Sequence, residues 1–326
     1  MKAVQVTRFG DPSVLTPTDL PDPTPGPGQV TIDVTHAAVG LIDVYLRQGL
    51  YKDRPGLPQP PYVPGLEVTG TVRELGEGVT GFAVGERVVS LSGNGSGGYA
   101  SVYVTGQESL VSLEGYEIDP ALAVATIPNA LMVHVALTHA VPMAAGESVL
   151  VHGALGGFAS AVPGIARQLG ASRVVGTVRA GKLAAAAASK LPYDRIVDSA
   201  ELPGVLGDEK FDVIVDPVGG TVRTQSLELL APSGRLLLVG NASGEWDHTI
   251  SSNRLWFGNF VVAGFNSGAY LPAHPETRKP AGQAALKAVA AGLIDADVEV
   301  LPLAEAARAH ERMESRSIDG RIVLAV

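Results

Sequence analysis

Residues 149–171 read VLVHGALGGFASAVPGIARQLGA, an apolar run, a glycine-rich turn and a helix-forming stretch in that order. The chemistry this order suits is the holding of a nucleotide diphosphate. Glycines let the backbone come close to a pyrophosphate. The free amides at the start of the next helix, with the positive end of its dipole, face the anion. The turn itself is Ala154, Leu155, Gly156, Gly157 and Phe158. Two residues depart from the usual fingerprint. Ala159 stands where a third glycine would let helix and strand pack closely, and Pro163 falls inside the expected helix. The first is a change of one methyl group. The second removes a helical N–H bond at a cost of roughly 3 kcal/mol, so a bend is expected there.

A tight turn without a ligand would use the same glycines, so the motif gains weight from its setting. The next apolar run, RVVGTV, contains Thr177 and ends just before Arg179 and Lys182. An acidic residue at that point would hold the ribose hydroxyls of NAD. A guanidinium forks onto a phosphate, which a carboxylate would repel. The two cations therefore favour NADPH. The alternative is that both are ordinary solvated residues at a helix start.

The elements that must position these residues follow from the wider pattern. From about residue 120, near-continuous apolar runs alternate with helix-forming segments: SVLVHG, RVVGTV, RIVDS, FDVIVDPV, GRLLLVG and NFVVAGF. Six such runs predict an α/β fold, a Rossmann-type doubly wound parallel sheet with strands buried on both faces. The alanine-rich GKLAAAAASKL between them reads as an ordinary surface helix. Before residue 120 the chain holds short extended segments (KAVQV, GQVTIDVTHAAVG, LEVTGTVRELG, GERVVSL) separated by Gly and Pro and ending in the turn-rich SGNGSGGYA. Short strands with such turns predict a small β-barrel-like domain. The closing GRIVLAV reads as a strand that returns to it. The division expected is a first domain over 1–119, a dinucleotide-binding domain over 120–264, and a return over 265–326.

Composition narrows the function further. The formal net charge is −9, which gives no positive field for nucleic acid. There is no cysteine, so disulfides, thiolate nucleophiles and cysteine-ligated metals are excluded. The opening MKAVQVTRFG alternates like a strand and has no basic patch before an apolar core. The apolar stretch at 122–145 is broken by Pro128, Asn129, His134, His139 and Pro142, and reads as a buried helix. A cytoplasmic protein is expected.

On MKAVQVTRFGDPSVL, IDVYLRQGLY, PGLEVTGTVRELGEGVTGFAVGERVV, the glycine turn, FDVIVDPVGG, GRLLLVGNASG and AHERMESRSIDGRIVL, the chain resembles the medium-chain dehydrogenase/reductases. Within them it resembles the zinc-independent quinone oxidoreductases, the zeta-crystallin-like group. The resemblance implies a GroES-like β-barrel catalytic domain beside the Rossmann domain. It also implies a homodimer paired near residues 260–265 and hydride transfer from NADPH to a small-molecule quinone or enone. It places Tyr45 and Tyr51 as catalytic hydrogen-bond donors. Further cofactor contacts carry over to Gly240, Asn241, Phe265, Asn266 and Arg321. His152 is expected to be a buried structural imidazole, and Asp216 and Glu67 to be anchoring groups.

The departures bear on the substrate. Where the zinc branch has Gly-His-Glu, this chain has Gly65-Leu66-Glu67, so no metal site is expected. Two positions of the expected substrate pocket, Gly40 and Met132, replace polar groups that the family carries. They leave open a dedicated biosynthetic enoyl or enone reductase, or a weakly catalytic NADPH-binding structural or sensor protein.

Overall fold

The computed structural model describes residues 1–91 and 96–326. Four residues of the turn-rich stretch SGNGSGGYA, 92–95, lie outside the described residues. Two compact units emerge, one of Met1–Pro128 with Asp297–Val326 and the other of Asn129–Ala296. Their limits differ from the sequence-based division, because residues 265–296 fall with the dinucleotide-binding unit and residues 120–128 with the first.

The first unit opens with β1 (Lys2–Val6) and β2 (Leu15–Asp19), an antiparallel pair in register from Lys2↔Asp19 to Val6↔Leu15. β3 (Gln29–Val39) is the organising strand, and α1 (Leu41–Gln48) follows it directly. β4 (Val68–Leu75), β5 (Arg87–Ser90), β6 (Val102–Gly106) and β7 (Leu110–Ser112) complete this portion. β3 pairs antiparallel with both β4 and β6, and its ladder with β4 shifts register at Thr31/Ile32 and Val34/His36. Such bulges bend a strand and let a sheet curl toward closure. Val30, Ile32, Val68, Val72, Val88 and Tyr103 fill the interior.

α2 (Pro120–Val135) links the units and continues through a wider turn to Ala140. It is long and apolar enough to cross a membrane by length and composition, yet 78% of that window is buried in the protein, as a core helix would be. In the second unit, β8 (Ser148–His152) leads into α3 (Gly157–Gln168), then β9 (Arg173–Val178), α4 (Leu183–Ala188) and β10 (Arg195–Asp198). β11 (Phe211–Asp216), α5 (Thr221–Leu229), β12 (Leu230–Leu238), α6 (Ser252–Gly258) and β13 (Val261–Gly264) follow. The six strands form one parallel sheet in the order β10-β9-β8-β11-β12-β13, as the six apolar runs predict. Every residue of β8 is buried, which a central parallel strand requires.

α7 (Ser267–Ala273) and α8 (Arg278–Ala290) complete the second unit. Their place there has a steric signature. A Cβ at Gly164 on α3 would lie 2.4 Å from the carbonyl oxygen of Leu293, just after α8, so the two segments touch backbone to backbone. The chain then returns to the first unit with β14 (Val298–Pro302), α9 (Ala306–Glu314) and β15 (Arg321–Ala325). β15 pairs parallel with β14 and antiparallel with β3, Ile322 opposite Val39, so the closing strand does rejoin the first unit.

Candidate functional site

The dinucleotide side is built where the strand order reverses, at the C-terminal end of β8. This is the crevice in which open parallel sheets bind ligands. Gly153 takes φ +64°, a conformation that favours glycine, and turns the chain out of β8. The Ala154 amide donates to the Thr177 carbonyl at 2.9 Å, and the Gly156 amide to the Gly153 carbonyl at 2.8 Å. Leu155, Gly157 and Phe158 are partly exposed along the turn. A Cβ at Gly156 would stand 3.1 Å from the Gly153 oxygen, so a side chain there would crowd the turn. Gly156 caps α3, whose first-turn amides lack intrahelical acceptors and are available to an anion.

α3 runs unbroken through Pro163. The carbonyl that Pro163 cannot satisfy belongs to Ala159, four residues earlier, and Ala159 is fully buried. A residue from the β9–β10 connection supplies the missing donor. The Tyr193 hydroxyl donates to the Ala159 oxygen at 2.9 Å and to the Ala154 oxygen at 3.2 Å. Gly176 on β9 makes room for this packing, since a Cβ there would lie 2.7 Å from that of Ala154 and 3.1 Å from the Tyr193 ring.

Arg179 lies exposed immediately after β9, and Lys182 is partly exposed in the following turn. Thr177 points elsewhere. Its hydroxyl is 3.1 Å from His152 Nδ1, while His152 Nε2 is 2.9 Å from Ser226 Oγ. Burial holds His152 down to about 4, so the ring is neutral and structural. Gly240 and Asn241 follow β12. Asp216 accepts from the amides of Val218 and Gly219 at 2.7 and 2.8 Å and from Arg223 Nε at 3.0 Å, and Arg223 in turn donates to the Gly240 carbonyl at 2.7 Å. Asp216 is thus an anchor that ties the loops after β11 and β12. The Asn241 Nδ2 is buried without a protein partner, a donor in place for a ligand oxygen. Phe265 packs on Tyr270, and Asn266 caps α7 through Gly268. The turn crowded by a Gly156 Cβ, the free amides and the orphaned Asn241 donor together fit a dinucleotide.

In the first unit, Tyr45 and Tyr51 meet edge to face, ring centres 6.2 Å apart. Burial raises both phenols above their ordinary range, so both stay protonated donors at neutral pH. Gly40 caps α1 at φ −113°, so nothing in its backbone demands glycine. Its amide donates to Asp43 Oδ2 at 2.8 Å, and the Gly65 amide donates to Asp43 Oδ1 at 3.1 Å. Burial pushes Asp43 up to about 7, with nearby Glu67 adding to the rise and the two amides and Arg321 opposing it. Arg321 is 8% exposed and surrounded by Glu67, Asp43 and Tyr99. It therefore sits beside Asp43 and Glu67 in the first unit, while the other expected cofactor residues belong to the second. Met132, half-buried on α2, likewise belongs to the second unit and Gly40 to the first.

Two residues of these sites are not among those expected from the sequence. Asp43 carried a signal, an acidic residue three places after Gly40, where an N3 side chain caps the helix start. Tyr193 carried none, because its partner lies across a strand. Among the described residues no group of three or more His, Asp or Glu could hold a metal ion.

Comparison with known proteins agrees with this geometry. Residues 26–162 match the family model described as an alcohol dehydrogenase GroES-like domain, and residues 169–324 match the one described as a zinc-binding dehydrogenase. The chain is 31% identical to a quinone oxidoreductase of Pseudomonas aeruginosa over 99% of both chains. The Escherichia coli quinone oxidoreductase complexed with NADPH is similar over the full length of both chains, with a TM-score of 0.87 and 27% identity. A mycobacterial protein complexed with NADPH is similar over the full length of both, at 0.86 and 30%.

Proposed function

The chain belongs to the zeta-crystallin-like quinone oxidoreductase family of the medium-chain dehydrogenase/reductases, and on that premise we propose that it reduces a quinone or an electron-poor enone with NADPH. The observation that carries the reading is the glycine turn of β8 and α3 at the switch point of a parallel sheet, with Arg179 rather than an acid after the next strand. NADPH, when bound, supplies the hydride. The residues of this chain bind and orient it. Residues 154–158 and the amides of α3 receive the pyrophosphate, Arg179 and Lys182 the extra phosphate, and Gly240, Asn241, Phe265 and Asn266 the nicotinamide half. Arg321 is the remaining residue assigned to the cofactor.

Tyr45 and Tyr51 are the donors to the acceptor's carbonyl oxygen. A protonated phenol aimed at that oxygen stabilises the negative charge that grows there as the hydride arrives. Substrates are expected to be larger or more apolar than simple benzoquinones, because Gly40 and Met132 offer no polar side chain. A homodimer is part of the reading. β13 is an edge strand, and beside it Trp256 and Phe257 stack with 72% and 76% of their surfaces exposed. A cytoplasmic setting is part of it too, as a compartment where NADPH is regenerated.

The test is NADPH oxidation followed with 1,4-benzoquinone, 9,10-phenanthrenequinone and a simple enone. Turnover of any of them supports the proposal, and NADPH binding without turnover on all three favours the structural or sensor reading. Arg179→Ala should weaken NADPH far more than NADH; equal losses would remove the cofactor assignment. A Tyr51→Phe enzyme with unchanged kcat would remove that hydroxyl from the chemistry.

A further inference from the structure

We propose that Tyr193 is a positioning residue of the cofactor turn, its hydroxyl standing in for the helical amide that Pro163 lacks. This rests on reading residues 154–158 as the pyrophosphate turn. Three observations converge on it. The fully buried Ala159 carbonyl has no α-helical donor, because residue 163 is proline. The Tyr193 oxygen lies 2.9 Å from that carbonyl and 3.2 Å from that of Ala154, one at each end of the turn. The tyrosine ring packs with Ala154, Val178 and Ala186, and only glycine at position 176 leaves it room.

One hydroxyl hydrogen shared between two carbonyls holds the strand exit and the first turn of α3 at a fixed distance. The intervening amides are then pointed before the ligand arrives. Preorganisation of this kind lowers the cost of ordering a binding loop. Burial pushes the phenol well above its ordinary value, so it remains a donor across the physiological range. The arrangement also accounts for a helix that tolerates a proline in its interior.

The experiment compares the full chain with Tyr193→Phe, Pro163→Ala and the double variant. It reads NADPH affinity by fluorescence titration, kcat at saturating NADPH, and thermal unfolding without ligand. Tyr193→Phe should raise the Kd for NADPH roughly five- to tenfold, the scale of one hydrogen bond to a buried carbonyl. Its kcat at saturation should be unchanged. In the Pro163→Ala background, where residue 163 again has an N–H for Ala159, the same change should cost only about two- to threefold, since the tie to Ala154 alone is lost. Unaltered affinity in Tyr193→Phe, or an equal loss in both backgrounds, would overturn the proposal. Should Tyr193→Phe alone not fold, recovery of folding and binding in the double variant supports it, and failure of both overturns it. A Gly156→Val control separates the premise. If that variant binds NADPH normally, the turn is misassigned, whatever Tyr193 does.

Discussion

Arg47 Nε donates to His310 Nδ1 across 3.2 Å, joining α1 to α9 inside the first unit. The same guanidinium donates to the Gly10 carbonyl at 2.8 Å and pairs with Glu314, while His310 Nε2 is 3.2 Å from the Tyr99 hydroxyl. Arg47 is fully buried, and its three partners come from the loop after β1 and from α9. Arg47→Ala should destabilise the protein by roughly 3 kcal/mol, the low end for a broken buried pair because Glu314 keeps 30% of its side chain in water. Arg47→Lys should recover little, since one ammonium cannot reach all three partners. Urea unfolding of both variants checks this.

His152 predicts a loss of stability in acid. Its ring titrates near 4 in the fold against an ordinary 6.5. Between those values the unfolded chain binds a proton that the folded chain refuses, so stability falls as pH drops through that window. The full effect is roughly 3 kcal/mol for a wholly buried ring. His310, held at about 3, adds a fall of the same sign. A His152→Gln variant should show a shallower loss between pH 6.5 and 4 than the parent.

Asp43 acts in the opposite direction. Its carboxyl is raised to about 7 from an ordinary 3.8, so the folded state keeps a proton that the unfolded state has released. Its contribution therefore declines as pH rises from 3.8 to 7 and is fully lost above that. Asn cannot titrate, so the cost of Asp43→Asn should shrink by at least about 2 kcal/mol between pH 4 and 7. A cost that stays constant with pH would show that Asp43 is ionised throughout.

Gly65 and Gly28 make a paired test of backbone against packing. Both take positive φ, +93° and +72°. A Cβ at Gly65 would lie 2.5 Å from Tyr99 Cδ1, whereas one at Gly28 meets nothing within 4 Å. Gly28→Ala should cost about 1 kcal/mol, the conformational term alone. Gly65→Ala should cost roughly 3 kcal/mol or more and shift the near-ultraviolet dichroism of Tyr99.

The Rossmann sheet was legible because its strands are buried on both faces and so leave unbroken apolar runs, as in SVLVHG and FDVIVDPV. The glycine-rich turn after β8 and the cation after β9 were legible because both are local in sequence. Pro163 looked like a defect because its remedy, Tyr193, lies thirty residues on and is joined to it only through folded geometry. The same limit hid the tie of Arg47 to His310 and the acidic surroundings of Arg321. Each is a meeting of polar groups across distant segments, and spacing along the chain records nothing of that. The packing of α8 on α3 was hidden for a similar reason, since it runs through Gly164, a residue unremarkable in sequence.

The pairing of β15 with β3 sets an order of events during synthesis. Residues 129–296 are continuous, and that unit can fold as soon as it leaves the ribosome. In the first unit, the edge of β3 that pairs with β15 at Ala37 to Val39 stays open until residues 321–325 have been made, while its other edge pairs with β4. Until then the segment made first carries an open strand edge, a state that favours mispairing and the attention of chaperones. Truncations before residue 321 that spare the whole second unit should still yield insoluble protein.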